Sequence, residues 1–287
     1  MEDVWVIRAG QVPYEAARSL QKRLETARHE DRIADVLLLL EHPPVYTKGR
    51  RSTADELPMG EDWYRRQGIE VCETDRGGRV TYHGPGQLVG YPIVSLRGLA
   101  NRAAPGGGAE EVARIDVVDF IRRMERVMIE ALAAYGIEAG PIEGLTGVWT
   151  LGDRPDSDRA MPGGEAEDIA RGDARKIGSI GVHVNRGVTT HGFAINVNND
   201  LQPFEWIVPC GIEACRMTSV GRELGAAQDM AAFMDVIRDR FGEVYERDPV
   251  DRNAAELASG VDGLDALAAA PPPSAHVTGN GAPAGVR

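Results

Sequence analysis

The chain has 287 residues, of which 43% are hydrophobic, and this composition allows a substantial core. Its formal net charge of −12 at pH 7 argues against a general nucleic-acid or anionic-membrane binder, because both are recognised mainly through a surplus of Lys and Arg. The sequence has no run of eighteen apolar residues and begins with the acidic segment MEDVWVIRAG, so it predicts a cytoplasmic protein without a membrane or nucleic-acid partner.

The hydrophobic periodicity predicts helices and strands along most of the chain. Apolar residues at helical spacing predict helices over residues 13–29, 116–135 and 226–245. Strands are predicted in ADVLLLLEH, between residues 67 and 96 where glycine turns interrupt β-rich runs, and between residues 175 and 198 where two runs meet at the turn NRG. The predicted class is therefore α+β (mixed α/β), with helices packed on a sheet.

Three segments lack a core-forming pattern. Residues 101–113 and 151–172 are predicted loops, and the end of the chain, which contains PPPSAHVTGNGAPAG, is predicted to be disordered. No internal repeat and no boundary between two separate cores is visible. We therefore expect one domain over residues 1–248, with an insertion at residues 151–172, followed by a tail over residues 249–287.

The segment RGGRVTYHGPGQ, residues 76–87, is the first candidate for chemistry. Five of its twelve residues are Gly or Pro, so its backbone can approach a ligand closely, while Arg76, Arg79, Tyr82 and His83 supply polar groups. The segment therefore predicts a ligand cradle. A purely structural glycine-rich hairpin with solvated arginines is the alternative.

The segment RKIGSIGVHVNRG, residues 175–187, contains the second candidate. Strand alternation would place Lys176 on the same face as Ile180, Val182 and Val184 unless Gly178 or Gly181 marks a bulge. A lysine on an inward face is desolvated, and desolvation lowers its pKa toward the range of a base. A lysine at the strand end that extends to water is the alternative.

The segment THGFAINVN, residues 190–198, alternates between large and small side chains. Phe193 shares one face with His191, whereas Gly192 and Ala194 leave space on the other face for an acyl chain or a closely packed backbone. A histidine among apolar neighbours is usually a core residue with satisfied nitrogens. We expect this for His191, and equally for His183 and His42.

Cys210 stands between Pro209 and Gly211 in VPCGI, a turn context that presents a sulfur rather than packing it in a core. The odd count of three cysteines fits reduced thiols, and we expect Cys72 and Cys215 to be buried structural thiols. The spacing of Cys210 and Cys215, without a second Cys/His pair, argues against a metal site. A nucleophilic Cys210 needs a neighbouring cation or base, for which Lys176, His83 and His191 are candidates.

Three motifs in one order, RGGRVTYHGPGQLVGYPI, KIGSIGVHVNRGVTTHGFAINVN and VPCGI, resemble the lipoyl(octanoyl) transferase family over roughly residues 4–245. The resemblance implies the fold of the biotin and lipoate protein ligases, a mixed sheet flanked by helices. It also implies transfer of octanoyl from acyl carrier protein to a lysine of lipoyl domains, namely those of 2-oxoacid dehydrogenase complexes and the glycine cleavage H protein. No cofactor is implied, because the thioester is already activated.

The resemblance also implies roles for individual residues. Cys210 matches the nucleophile that carries the acyl group as a thioester, and Lys176 matches the residue that lowers the pKa of this thiol. The positions that match the family's substrate-contacting segments are Arg76, Gly77, Gly78, Arg79, Val80, Thr81, Tyr82, His83, Ser179, Ile180, Gly181, Gly192, Phe193 and Ala194. Basic residues in or shortly before the first segment, namely Lys48, Arg50, Arg51, Arg76 and Arg79, are candidates for a basic rim that binds acidic carrier proteins, and scattered solvated charges are the alternative.

Other functions remain open from the sequence. A lipoate or biotin ligase would share the fold but would activate a free acid with ATP, and would need no nucleophilic cysteine. A thiol hydrolase would use Cys210 with His83 or His191 and pass the acyl group to water. A non-catalytic scaffold that binds carrier proteins is the third alternative.

Overall fold

The computed structural model describes residues 2–97, 117–150, 174–209, 212 and 215–253. The predicted loops at 101–113 and 151–172, Cys210 and residues 254–287 of the predicted tail lie outside these residues. None of the described helices is long and apolar enough to cross a membrane.

Twelve strands and six α-helices are present in the described part of the chain. The strands are β1 (Glu2–Gln11), β2 (Asp35–Glu41), β3 (Val45–Lys48), β4 (Glu70–Glu73), β5 (Thr81–His83), β6 (Gln87–Ile93), β7 (Ala139–Gly140), β8 (Val148–Thr150), β9 (Arg175–Asn185), β10 (Val188–Asn196), β11 (Arg216–Met217) and β12 (Arg247–Asp251). The helices are α1 (Tyr14–His29), α2 (Glu61–Arg66), α3 (Val117–Ala134), α4 (Gln202–Glu205), α5 (Val220–Leu224) and α6 (Met230–Tyr245).

The main sheet is mixed, and this confirms the predicted α+β class. Its order is β12-β1-β2-β6-β10-β9-β8-β7, with β11 added beside β9. The pairs β1–β12, β1–β2 and β11–β9 are parallel, and the remaining pairs are antiparallel. Helix α1 connects the parallel strands β1 and β2, as a parallel pair requires a crossover connection.

The apolar run of β2 is explained by cores on both faces of the main sheet. Leu37 and Leu39 pack into one core with α3 and α6, whereas Leu38 and Leu40 pack into the other with α1. A strand that is covered on both faces reads as a continuous hydrophobic run, because both sets of alternate side chains are buried.

A smaller three-stranded sheet, in the order β4-β3-β5, lies beside the main one. Its core contains Tyr46, Tyr64, Tyr82 and Phe204. The predicted cradle, residues 76–87, begins in the loop between β4 and β5, continues through β5 and ends at the first residue of β6 in the main sheet. The cradle therefore joins the small sheet to the large one.

The structure differs from the sequence expectations in the start of the last helix, in an additional first strand and in the start of the tail. The last helix begins at Met230 rather than 226, because the Asp229 side chain accepts hydrogen bonds from the backbone N–H groups of Ala231 and Ala232. Strand β1 was not predicted. Strand β12 pairs with β1 over residues 247–251, so the expected start of the tail at residue 249 falls inside a strand.

Candidate active site

A pocket of about 320 Å³ opens between the cradle and the strands β9 and β10. The residues that line it come from segments far apart in the sequence. They are Tyr14, Arg51, Arg76, Gly78, Arg79, Thr81, His83, Val89, Tyr91, Gly144, Leu145, Thr146, Lys176, Ser179, Ile180, Gly181, His191, Gly192, Phe193, Ala194 and Ile212. The structure thus brings the three predicted segments to one cavity.

Arg76 shapes the cradle from within. Its side chain is only 7% exposed, and its guanidinium donates to the backbone oxygens of Thr47 (2.5 Å), Arg79 (2.7 Å) and Gly77 (3.0 Å). These bonds fold the loop around the guanidinium. The backbone N–H of Gly77 donates to Val182 O (3.2 Å), which attaches the cradle to β9.

Strand alternation in and beside β5 separates the predicted cradle residues into two groups. Thr81 and His83 line the pocket, whereas Val80 and Tyr82 pack into the core of the small sheet. Gly77 is also absent from the lining, since it contacts β9 through its backbone. The remaining predicted positions of all three segments face the pocket.

Lys176 is buried at one side of the pocket, with 2% of its surface exposed. Its Nζ lies 5.2 Å from the centre of the Trp149 ring and donates to Thr146 O (3.3 Å). The loop that carries this carbonyl is held by the N–H of Gly147, which donates to the buried Glu125 Oε1 (3.0 Å). The expectation of a desolvated lysine is confirmed.

The predicted alternation of β9 does not continue through Lys176. Trp149 pairs with Lys176 whereas Val148 pairs with Gly178, so the register shifts by one residue between them. The extra residue, Ile177, joins the core on the α3 side. The other apolar side chains of the strand, Ile180, Val182 and Val184, pack against that same core.

The conformation of β10 depends on close backbone approach at glycine. A Cβ on Gly192 would collide with the backbone oxygen of Gly90, and a Cβ on Gly90 would collide with the Phe193 ring that lies over it. Phe193 and Gly90 are cross-strand partners. The small face that was predicted for Gly192 and Ala194 therefore serves both close packing and the pocket wall.

Buried histidine side chains lie at the pocket wall and behind it: His83 lines the pocket, and the centre of the His42 ring is 5.7 Å from the centre of the His83 ring. His42 contacts Val12 O (2.6 Å) and the Tyr91 hydroxyl (2.7 Å), so both ring nitrogens are satisfied as expected, and burial lowers its pKa to about 4. His83 contacts Gln87 Oε1 (2.7 Å), and burial lowers its pKa as well. These rings are neutral at pH 7.

Two other histidines differ from the expectation of a satisfied core residue. His183 is half-exposed on β9. His191 is 3% exposed and lines the pocket, but its Nδ1 has no hydrogen-bond partner among the described residues. Its Nε2 donates to Asp75 Oδ1 (2.9 Å), and this bond holds the pKa of the Asp75 carboxyl below its usual range.

The cysteines differ in their surroundings. Cys72 is buried as expected, and burial raises the pKa of its thiol to about 12. Cys215 is only half-buried, beside the sulfur of Met217 (3.8 Å). Cys210 is outside the described residues, but Ile212, two positions further along the chain, lines the pocket together with Lys176.

The basic rim that the sequence predicts is reduced by ion pairs. Lys48 binds Glu61 (3.0 Å) and Glu73 (3.1 Å), and Arg79 binds the buried Glu56 (2.7 Å). Arg50 and Arg51 are exposed beside the cradle, where their backbone N–H groups donate to the oxygens of residues 76 and 78. Arg51 also lines the pocket.

Sequence reasoning missed several lining residues. Tyr14 and residues 144–146 line the pocket although no motif contained them, and Val89 and Tyr91 line it although only the motif around them, and not these two positions, had been singled out. The glycines of the segment EGLTG, residues 143–147, were the available signal for a loop near a ligand. The contributions of α1 and β6 depend on how the layers pack.

Comparison with known proteins identifies the family. The model of the lipoyl protein ligase A/B catalytic domain matches residues 13–242. An octanoyltransferase of Acidobacterium capsulatum is 40% identical over 244 residues, which are 84% of this chain and 89% of that protein. An octanoyltransferase of Mycolicibacterium gilvum is 43% identical over 243 residues, which are 83% of this chain and 84% of that protein.

Solved structures share the fold at low sequence identity. A bi-partite lipoate protein ligase from Thermoplasma acidophilum matches with a TM-score of 0.62 and 17% identity, over 93% of this chain and 91% of that one. A lipoate-protein ligase A bound with ATP matches with a TM-score of 0.58 and 15% identity, over 93% of each chain. The mixed sheet with flanking helices is the architecture implied by the sequence motifs, and this chain belongs to the lipoyl protein ligase A/B catalytic domain family.

Proposed function

We propose that this protein is an acyltransferase that moves an octanoyl group from a thioester on acyl carrier protein to a lysine of a lipoyl domain. The observation that carries the proposal is the buried Lys176 in a pocket walled by the three glycine-rich segments. The relatives at about 40% identity are octanoyltransferases. The proposed acceptors are lipoyl domains of 2-oxoacid dehydrogenase complexes and the glycine cleavage H protein, and the proposed location is the cytoplasm.

Cys210 is the proposed nucleophile. Strand β11, which begins six residues after Cys210, pairs Met217 with Lys176, and the N–H of Thr218 donates to Lys176 O (2.9 Å). Ile212 lines the same pocket. These contacts support a short path between the lysine and the segment that carries the thiol. A cation beside a thiol favours the thiolate, which is the nucleophilic form.

The proposed transfer has two balanced steps. The Cys210 thiolate attacks the carbonyl carbon of the donor thioester, a C–S bond forms, and the carrier thiol leaves and takes up a proton. The acceptor lysine amine then attacks the new thioester, forms the amide, loses a proton and releases the Cys210 thiolate. Lys176 is the proposed proton shuttle between these steps, and backbone N–H groups of residues 178–181 are proposed donors to the tetrahedral oxyanion.

Intact mass spectrometry tests this proposal. Wild-type protein mixed with octanoyl carrier protein is expected to gain one octanoyl group, and to lose it when a lipoyl domain is added. Cys210→Ser is expected to abolish the adduct that hydroxylamine cleaves. The matched controls Cys72→Ala and Cys215→Ala are expected to retain it. A hydroxylamine-sensitive adduct on the serine variant contradicts a Cys210 intermediate.

An ATP-dependent ligase is the second candidate, because the solved structures with the same fold include lipoate protein ligases. Such an enzyme releases pyrophosphate when it activates free octanoate or lipoate. The proposed transferase is expected to release none, and to modify the lipoyl domain without ATP. Pyrophosphate release that requires the free acid would favour the ligase.

A further inference from the structure

His191 has an unusual backbone conformation within β10. Its φ is +58°, in the left-handed region that only a few per cent of residues other than Gly adopt, and in which His, Asn and Asp are the most frequent of these. The paired register of β10 with β6 ends at Phe193–Gly90 and resumes at the bridge Val188–Ser95. Pro92 lies in this interval and has no N–H to donate across the strands. In this interval the regular pairing of β10 with β6 is interrupted, and other contacts hold β10 in place.

A side chain of α1 satisfies the backbone N–H of His191. The N–H of His191 donates to Gln21 Oε1 (2.6 Å). Gln21 is 1% exposed on the buried face of α1, between the core positions Leu20 and Leu24. A polar side chain on an apolar helix face is costly unless it is hydrogen-bonded. The bond to a strand N–H satisfies Oε1 of Gln21, whereas its buried Nε2 has no hydrogen-bond partner among the described residues.

The imidazole of His191 holds the start of the cradle. Its Nε2 donates to Asp75 Oδ1 (2.9 Å), and Asp75 directly precedes Arg76. On the neighbouring strand, the cross-strand partner of His191 is Val182, whose backbone oxygen accepts the N–H of Gly77 (3.2 Å). The cradle is therefore attached to the main sheet twice at the same pair of residues, once through each strand.

We propose that Gln21, His191 and Asp75 form a positioning clasp that fixes the cradle at the wall of the pocket and thereby sets the affinity for the acyl donor. Gln21 holds the backbone of His191, and His191 holds Asp75. The kinetic part of this inference rests on the proposed acyl transfer. The structural part concerns the protein without any ligand.

Two variants break the clasp in different ways. His191→Gly removes the imidazole but adopts a positive φ without strain, so the fold is expected to persist. Asp75→Ala removes the acceptor, whereas Asp75→Asn keeps an oxygen that accepts from Nε2–H and is expected to restore the clasp. Arg186→Gly is the matched control, since Arg186 also has a positive φ (49°) but lies in the β9–β10 turn, outside the pocket lining.

Hydrogen exchange of peptides that cover residues 74–80 in the ligand-free protein measures the clasp directly. His191→Gly and Asp75→Ala are expected to exchange about tenfold faster there than wild type, because the hydrogen bond between these two side chains restrains the loop. Asp75→Asn and Arg186→Gly are expected to exchange nearly as wild type does. Wild-type exchange in His191→Gly would overturn the clasp, whatever its effect on activity.

Steady-state kinetics with a small octanoyl thioester tests the consequence for binding. The clasp variants are expected to raise KM about tenfold while kcat changes much less, since the cradle contributes to binding. A lower kcat with an altered pH profile and an unchanged KM would mean that His191 acts on the reacting atoms, and would overturn the positioning role. If wild type transfers no octanoyl group, the proposed function fails while the exchange result still stands.

Discussion

Gly147→Ala is the sharpest perturbation of the lysine site. Gly147 has a φ of +130°, a conformation that side chains rarely adopt. A Cβ at this position would lie 2.6 Å from the backbone oxygen of Gly178 and 2.8 Å from Cε of Lys176. The Gly178 oxygen belongs to an interior strand of the main sheet and cannot retreat. The loop that carries residue 147 must therefore shift away from β9, and the Lys176 side chain that contacts it must move as well.

The expected loss of stability has two parts. The backbone conformation costs about 1–3 kcal/mol for a residue with a Cβ, and the enforced contact adds about 1–3 kcal/mol. We expect the free energy of unfolding to fall by about 3 kcal/mol, which corresponds to a decrease in Tm of about 6–12 °C for a domain of this size. Gly136→Ala is the control, because Gly136 has a φ of +75° but a Cβ on it would meet no heavy atom within 4 Å.

Unfolding in urea, followed by circular dichroism, gives the loss of stability for both variants. Octanoyl transfer is then measured at a temperature where both are folded. Gly147→Ala is expected to lose about tenfold to a hundredfold in transfer rate, because displacement of Lys176 by about 1 Å disturbs its placement in the site. Gly136→Ala is expected to lose about 1 kcal/mol of stability and to retain activity. Equal stability and equal transfer rates for the two variants would refute the close approach at Gly147.

Three further predictions concern charge. Lys176→Met replaces the buried ammonium with an apolar chain of similar length, so the fold is expected to persist. The pH midpoint for alkylation of Cys210 is expected to rise by about one unit or more, because the cation that favours the thiolate is removed. An unchanged pH profile of alkylation would mean that Lys176 is purely structural. Arg50→Glu is expected to lower kcat/KM for a carrier-protein donor several-fold and to flatten its salt dependence, while a small thioester reacts nearly as before. Equal losses with both donors would exclude Arg50 from docking. Since burial lowers the pKa of His42 from 6.5 to about 4, the unfolded chain binds more protons between these values, and stability is lost as the pH falls through this window. The loss at pH 4 is about 3 kcal/mol, and a His42→Asn variant that shows the same decline in urea titrations from pH 7 to 4 would contradict this origin.

The sequence by itself determined the local elements and the order of the motifs. The apolar run of β2, the helix α1 and the hairpin of β9 and β10 follow from periodicity and turn residues, because these signals act over a few neighbouring positions. The left-handed backbone of Arg186 and the glycine after it form the predicted hairpin turn. The segments that resemble the transferase family were also identifiable from sequence, since their glycines and polar residues stand at fixed spacing.

Only the tertiary structure decided how these segments meet. The bulge at Ile177 changes the alternation that the sequence predicted for Lys176. The glycines Gly178 and Gly181 marked two possible bulge positions, but the pairing with the partner strand β8 decided where the register shifts. The roles of Gln21 and His191 depend on a helix and a strand that are 170 positions apart. A histidine and a glutamine in apolar segments read as ordinary core residues, and only their contact across the layers shows that they hold the cradle in place.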